Sequence, residues 1–418
     1  MTRISHHLFA VTLLLASCSN GSDSSRTGDR ATAPLEPTTR DSAGVTIYEH
    51  PADALERAPL ITMDSVPMAV IGDADNVELD LSRAFRPIFL DNGNLALFAS
   101  GSVWIFDAEG NEVERIGRQG AGPQEFGAGA LAAGLGDTIL VTDSRNSRIS
   151  LVVPGEGVAR VRTVMLRRDM KFYGAAGQVG PDAFLVTNQG SGFQPDAESG
   201  RLETPVGLVD PGADSVRDII ALQGPRFIIS RSDGRGMSVG VEQYSPTDIA
   251  AFWGGDVLVV RGDRWTVERY DAKGALLSRM VVPRPRSGIT EAMKREDIEA
   301  QIATFQKTMG EALAAEGLDT AEAWAEVRRQ PFADSLAHFR AVYTTASGLA
   351  WLQSATRLSD STWHYTAVRP DGRIIGVLRG AGPVPVLVGD DRVILRQEDD
   401  DGIVTWAVHR LVMPGGER

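Results

Sequence analysis

Gly136-Asp137-Thr138-Ile139-Leu140-Val141 is a glycine that opens a short apolar run, and the same arrangement returns along the chain. The other copies are Gly93-Asn94-Leu95-Ala96-Leu97, Gly180-Pro181-Asp182-Ala183-Phe184-Leu185-Val186, Gly255-Asp256-Val257-Leu258-Val259, Gly348-Leu349-Ala350-Trp351-Leu352 and Gly389-Asp390-Asp391-Arg392-Val393-Ile394-Leu395. Their glycines lie 43, 44, 75, 93 and 41 residues apart, so the period is near 43 and two gaps hold insertions. A second element follows several copies. Val103-Trp104-Ile105-Phe106-Asp107-Ala108-Glu109-Gly110 and Val267-Glu268-Arg269-Tyr270-Asp271-Ala272-Lys273-Gly274 are alternating strands that end in a turn, with weaker relatives at Leu208 to Gly212 and Val368 to Gly372. Alternation buries one face of a strand, and Asp and Gly at fixed offsets make a tight hairpin.

Each unit therefore reads as turn, buried strand, amphipathic strand, turn, strand. A period of 40 to 50 with four short strands is the signature of a propeller blade. The expected fold class is all-β: a six-bladed β-propeller of four-stranded antiparallel blades over residues 42–418. The isolated strand Gly44-Val45-Thr46-Ile47-Tyr48 is expected to close the ring by joining the last blade beside Val404 to Val412, which removes an exposed edge.

The two insertions differ. Asn188 to Tyr244 is expected to be part blade and part long irregular loop. Residues 287–331 are expected to form a helical hairpin between blades 4 and 5. There Ile298, Ile302, Phe305, Met309 and Leu313 recur every three or four residues along one stripe. Gly317 suits a C-cap, Asp319-x-x-Glu322 a capping box for the second helix, and Pro331 its end.

The first residues read as an address. Met1-Thr2-Arg3 is a short positive region, and Leu8 to Ala16 is apolar apart from Thr12. Nine helical residues span about 14 Å, half a bilayer core, which fits a signal peptide and not a membrane span. The run ends at Leu15-Ala16-Ser17-Cys18, which resembles the lipobox of bacterial lipoproteins. That resemblance implies a lipoprotein signal peptide over residues 1–17 and acylation of Cys18. Residues 18–41, rich in Ser, Thr, Gly, Pro and Asp, are expected to be a flexible tether. The expected location is the bacterial cell envelope, lipid-anchored at the outer membrane and facing the periplasm.

Composition narrows the function. Of 418 residues, 43% are hydrophobic and one is Cys, and 42 Lys and Arg face 55 Asp and Glu for a formal net charge of −13. A disordered chain, a disulfide framework and a cysteine-built zinc site are excluded. A chain this acidic is not expected to bind nucleic acid. The 44 Gly and 21 Pro suit many turns.

Gly117-Arg118-Gln119-Gly120-Ala121-Gly122-Pro123-Gln124-Glu125-Phe126 is the most distinctive stretch, followed by Asp143-x-x-Asn146-x-Arg148-Ile149. With the partial copy Arg379-Gly380-Ala381-Gly382-Pro383 and with Gly348-Leu349-Ala350-Trp351, it resembles the six-bladed, NHL-like propeller lipoproteins of bacteria over roughly residues 83 to 413. The resemblance implies a binding protein. Related six-bladed folds include calcium-dependent lactonases and a metal-dependent lyase. The glycine stretch itself has a structural reading: Gly supplies unusual φ, Pro123 a turn, and Phe126 a plug between neighbouring sheets. The functional reading sets Arg118, Glu125, Arg145 and Arg148 at the mouth of the axial channel as candidate ligand-binding residues.

Signals of chemistry are weak. Gly236-Met237-Ser238-Val239-Gly240 matches a nucleophile elbow but lacks the strand before it and the helix after it. The glycine stretch lacks the Lys-Ser/Thr ending of a phosphate loop. His50, His338, His364 and His409 do not pair at metal-ligand spacing. Glu398-Asp399-Asp400-Asp401-Gly402 lacks the alternating carboxylates of a calcium loop and reads as a hairpin turn. Trp104, Trp265, Trp351, Trp363 and Trp406 fall in strand positions and are expected to pack between blades. No catalytic residue, metal site or cofactor is expected. The reading is a membrane-anchored, non-catalytic binding or scaffold propeller whose ligand is a protein, small molecule or glycan. The alternative is a metal-dependent hydrolase or lyase, with its site, and an ion such as calcium, on the propeller axis.

Overall fold

The computed structural model describes residues 34–415, apart from 73–78, 163–172, 182, 189–198, 210–215, 233–235, 316–319 and 400–401. The fold is all-β, with antiparallel meanders following one another along the chain. The first comprises Phe85–Phe89, Leu95–Ala99, Ser102–Phe106 and Glu112–Ile116, and the second Gly129–Ala133, Ile139–Asp143, Arg148–Val153 and Gly157–Arg162. The third is built from Tyr173–Gln178, Phe184–Asn188, Val206–Val209 and Val216–Ile220; the fourth from Ile249–Trp253, Asp256–Arg261, Thr266–Tyr270 and Leu276–Val281. The fifth has Phe339–Thr344, Ala350–Ser354, Thr362–Val368 and Ile374–Ala381. The last has Pro385–Val388, Arg392–Glu398 and Val404–Val412.

The first strand of each of the first four meanders lies against the first strand of the next, and Pro385–Val388 lies against Phe85–Phe89. Between the fifth and last meanders, Trp351 Nε1 donates to Gly389 O at 2.9 Å, and Trp351 packs with Val388 and Val393. The sheets thus follow one another around a ring. Their faces carry the core, and Trp104, Trp265, Trp351, Trp363 and Trp406 are all buried there, as packing groups.

The repeated turns have a common chemistry. Asp107 Oδ1 accepts N–H bonds from Glu109 at 3.0 Å and Asn111 at 2.8 Å, and Gly110 takes φ +85°. Asp271 Oδ1 accepts from Lys273 at 2.9 Å and Ala275 at 2.8 Å, with Gly274 at φ +92°. The Asn111 side-chain amide, which donates to Asp107 Oδ2 at 3.0 Å, and then the turn N–H groups hold Asp107 below its ordinary range, and the Ala275 N–H first does the same for Asp271. The second repeated element of the sequence is this turn, between the third and fourth strands of a meander.

The chain enters and leaves a four-stranded antiparallel meander at the same end of its strands. All connections between meanders therefore open on one face of the ring, and the tight Asp-Gly turns occupy the other. Both insertions belong to the connection face. In the segment 188–244, Val206–Val209 and Val216–Ile220 belong to the third meander, as the part-blade expectation had it, but the expected irregular loop is ordered: Ser199–Glu203, Gln223–Ser232 and Gly236–Val241 form their own three-stranded sheet. Alternation in Phe227-Ile228-Ile229 and Val239-Gly240-Val241 is too short to stand out between glycines and serines. The helical hairpin is present as Glu291–Ala315 and Thr320–Arg329. Gly317 and Asp319 lie outside the described residues.

The N-terminal segment departs from two expectations. Residues 34–41 are part of the folded body instead of the end of a tether, while Cys18 and the rest of the tether lie outside the described residues. Leu35 exchanges backbone bonds with Ile374 at 2.9 and 3.2 Å, and Thr38–Ser42 pairs with Val45–Glu49. Polar composition hid this hairpin, because its pairing needs backbone groups and no apolar side chain. Nor does the strand at Val45 close the last meander: it pairs in parallel with Leu276–Val281, the outer strand of the fourth. The fourth strand of the last meander is Ala69–Ile71, paired with Trp406 to Val408. Ala69 and Ile71 are buried with Trp104 and Trp406, so packing selects this three-residue strand over the longer one. Between them, Leu60–Met63 joins Ile374–Ala381 to Val404–Val412. Residues 34–71 form a strap along the outer edges of three meanders.

Candidate functional site

The glycine stretch is the connection from Glu112–Ile116, an outer strand, to Gly129–Ala133, an inner one. It crosses the connection face from rim to centre. Gly117 takes φ +84°, and a Cβ there would stand 2.4 Å from the Phe126 ring. Phe126 is fully buried and meets Phe98 edge-on at 5.9 Å between centroids. Arg118–Gln119 and Glu125–Phe126 pair in parallel across the loop.

The polar groups of the loop hold one another. Arg118 grips Glu125 Oε1 through Nε at 2.8 Å and its terminal nitrogen at 2.7 Å. Glu125 Oε2 accepts from the N–H groups of Gly122 at 2.8 Å and Ala121 at 3.1 Å. The Gly122 N–H first, then Arg118, keep the Glu125 carboxyl below its ordinary range. Beneath the loop stands Asp143, with no exposed surface. Its carboxylate accepts from Gly127 N (3.1 Å), Ala128 N (3.2 Å), Asn146 N (3.2 Å) and Asn146 Nδ2 (2.6 Å). Asn146 Nδ2 also donates to Gly120 O at 2.9 Å. Arg148 donates to Ala121 O at 3.2 Å and to Glu125 O, and lies 3.5 Å from Asp143.

Thus three of the four sequence candidates, Arg118, Glu125 and Arg148, meet in one hydrogen-bonded frame. Arg148 is turned inward as part of it. Arg145 is exposed, its stem packed against Gly127, and no ion pair joins it among the described residues. Arg118, at 78% side-chain exposure, and Arg145 present guanidinium groups to solvent. Sequence reading passed over the organising role of Asp143, although Asp143-x-x-Asn146 is the asparagine-capped turn that could have signalled it.

A second cluster secures the insertions. Asp297 on the first long helix is fully buried and accepts from Tyr244 OH (3.1 Å), Ser359 Oγ (2.8 Å) and Ser359 N (3.2 Å). Tyr244 OH in turn accepts from Leu358 N at 2.8 Å. Burial, with Asp297 adding to it, pushes the Tyr244 phenol up to about 12. Ile298 and Ile302 of the expected apolar stripe are half-buried and Phe305 is exposed, touching Trp324 of the second helix at 5.3 Å. The fully buried position is the Asp297 carboxylate, one residue before Ile298 and off the stripe, which no hydropathy pattern announces. In the fourth meander, Arg261 bridges Asp248 at 2.6 Å and Glu268 at 2.6 Å, and Arg279 reaches Glu268 at 2.8 Å. Burial would push Glu268 up, but Arg261, then the Tyr270 hydroxyl and Arg279, outweigh it and hold it low.

The remaining candidates are dispersed. Gly236 to Gly240 lies along a strand, Ser238 opposite Ser230, not on a strand-to-helix turn. His50 Nε2 bonds Gly372 O and His409 Nδ1 bonds Asp64 O, each at 2.8 Å in the core. Burial, then Arg284 and Arg286, push His338 down to about 4; burial and Arg379 lower His364. Asp399 Oδ1 accepts from Ile403 N at 2.8 Å in a turn, and Asp400 and Asp401 lie outside the described residues. Among the described residues no group of three or more His, Cys, Asp or Glu is placed to hold a metal ion. On the tight-turn face a groove of about 460 Å³ is lined by Pro34, Ser347, Arg369, Arg373 and Asp390 among others.

No family model and no curated protein sequence matches the chain. The solved structures it is similar to are β-propeller-like proteins. A member of the DUF4221 family from Bacteroides vulgatus is 13% identical, with 84% of this chain and 99% of that one covered at a TM-score of 0.40. A gluconolactonase from Xanthomonas campestris is 11% identical, covering 85% and 98% at 0.39. A streptogramin B lyase is 10% identical, covering 84% and 100% at 0.34.

Proposed function

We propose that this chain is a lipid-anchored, six-bladed β-propeller of the bacterial cell envelope that works by binding. In this reading the successive meanders are the blades, Cys18 carries the anchor at the outer membrane facing the periplasm, and the connection face takes the ligand. The observation that carries the binding role is the frame around Glu125 and Asp143. It fixes a loop that crosses that face while Arg118 and Arg145 keep guanidinium donors open to solvent. A site ordered before binding loses little conformational entropy when a ligand arrives. Guanidinium groups suit carboxylate or phosphate groups, so the ligand would be an anionic glycan, small molecule or protein segment.

The test is a thermal-shift screen of the Cys18→Ser chain against such ligands, with and without chelator. Ligand at 100 times its Kd adds about 2.7 kcal/mol of stability. The expected result is a shift by an anionic ligand that disappears in Arg118→Ala/Arg145→Ala. A shift that persists in the double variant would refute the site. A metal-induced shift reversed by chelator would replace the non-catalytic reading with the metal-dependent one.

A further inference from the structure

The strap carries an exposed apolar edge that the fold does not use. Leu60–Met63 and Ala69–Ile71 both pair with the same edge of Val404–Val412, with residues 64–68 bulging between them. Ile61, Ala69 and Ile71 point into the core. The alternate positions point outward: Leu60 and Met68 are 42% exposed, Val70 51% and Val66 74%. Between Leu60 and Ile71 the only charged side chain is Asp64. In a chain of net charge −13 the segment 60–71 is apolar and carries a single charge, with Arg410 beside Asp64 and the Asp107–Gly110 turn beside Val70.

The place where the N-terminal chain joins the body says what covers it. Leu35 is bonded to Ile374, and Leu60 pairs with Val377 on the same strand. Three residues along a strand are about 10 Å, so the chain leading from Cys18 arrives beside the apolar rim. The sixteen residues from Cys18 to Ala33 can span at most about 55 Å. A sixteen-residue random coil spans only about 22 Å on average, so an acyl anchor at Cys18 favours this edge, over the far side of the ring, as the part nearest the bilayer. We infer that the rim formed by Leu60, Val66, Met68 and Val70 docks on the lipid surface that carries the anchor, so that the body rests on its edge. Apolar side chains enter the headgroup boundary, and the scarcity of charge lowers the cost of bringing an acidic protein to it. This rests on the anchor reading of the proposed function.

The test uses the full acylated chain in phosphatidylcholine vesicles. Acylation consumes the only native thiol, so an environment-sensitive fluorophore attaches solely to an introduced cysteine. Val66→Cys reports the rim, with Met68→Cys as a second probe should the first fail to fold. Val161→Cys, on the outer strand of the second meander, is the control, and Cys18→Ser reports anchoring by flotation. The expected result is flotation lost in Cys18→Ser, and quenching by spin-labelled lipid several-fold stronger at residue 66 than at residue 161. Flotation with equal, weak quenching at both positions overturns the docking and leaves the anchor standing. Disulfide-linked dimers of the unlabelled Val66→Cys chain, together with no lipid quenching of the labelled one, would assign the rim to a second copy and overturn the inference. A chain that does not float with Cys18 intact refutes the anchor reading, and the docking with it.

Discussion

Asp143→Ala tests whether the frame under the glycine loop is structural. The substitution removes an acceptor from four N–H donors and leaves Arg148 facing a void. A hydrogen bond to a charged group contributes about 1.5–3 kcal/mol net, and an unsatisfied buried donor costs about 1–3 kcal/mol. Ala128 is exposed and Gly127 half-buried, so water can replace about two of the four bonds. The remainder predicts a loss of roughly 3–5 kcal/mol. For a chain of this length the unfolding entropy is about 0.8 kcal/mol/K, so the melting temperature should fall by about 5 °C. The assay is thermal and urea unfolding by circular dichroism. Asp137→Ala is the control: its carboxylate accepts one bond, from Asn92 N at 3.0 Å on the surface, and its loss should cost under about 1 kcal/mol. If Asp143→Ala melts within about 1 °C of the parent, the loop is held by other contacts and the reasoning is refuted.

Phe126→Ala empties a fully buried site beside Phe98 and should cost about 3–5 kcal/mol, read as a lower urea midpoint. His338 gives a pH signature. Its folded pKa of about 4 lies below the unfolded 6.5, so on acidification the unfolded chain takes the proton first. Stability should be unaffected by this group above pH 6.5 and should fall between pH 6.5 and 4. The full shift would be worth about 3 kcal/mol, which solvent screening at a half-buried group reduces to roughly 1–2 kcal/mol. His338→Asn should flatten that part of the profile; an unchanged profile contradicts the assignment. Gly372→Ala would put a Cβ 2.3 Å from the Tyr48 ring at φ +81°. It should free the strap from the fourth and fifth meanders, seen as faster proteolysis within residues 34–50.

Much of the architecture was legible because turns are local. Asp107 and Asp271 bond N–H groups two and four residues ahead, so their spacing to Gly110 and Gly274 is written in consecutive letters. The buried strands Leu95–Ala99 and Asp256–Arg261 are legible for the same reason: burial on both faces needs an unbroken apolar run. The helix at 291–315 was expected from an apolar stripe and the helix at 320–329 from a capping box and Pro331, and both are present, although the stripe is not what the first helix buries. The three-stranded sheet at 199–241 was not legible, because short strands separated by Gly and Ser carry no lasting alternation.

At the site, Arg118, Glu125 and Phe126 could be named from the glycine stretch, and Asp143 and Asn146 from the turn after it. That Arg148, the first residue of its strand, turns inward while Arg145, in the turn before it, stays in solvent could not, since the two stand three residues apart with the same side chain. Asp297 and Tyr244 are 53 residues apart and Asp297 and Ser359 62 apart, and only packing of the hairpin on the ring makes them partners. Ring closure shows the same division. Local chemistry determined that residues 45–49 form a strand, but which edge it joins depended on what lay across from it. Leu276–Val281 offered an open edge to the parallel strand, and the core around Trp104 and Trp406 took Ala69 and Ile71. Short-range hydrogen bonding and hydrophobic period are properties of neighbouring residues, and the sequence by itself determines them. Pairing between distant edges, and the burial of charges such as Asp297, is decided by which surfaces the fold brings together, and only the tertiary structure decides that.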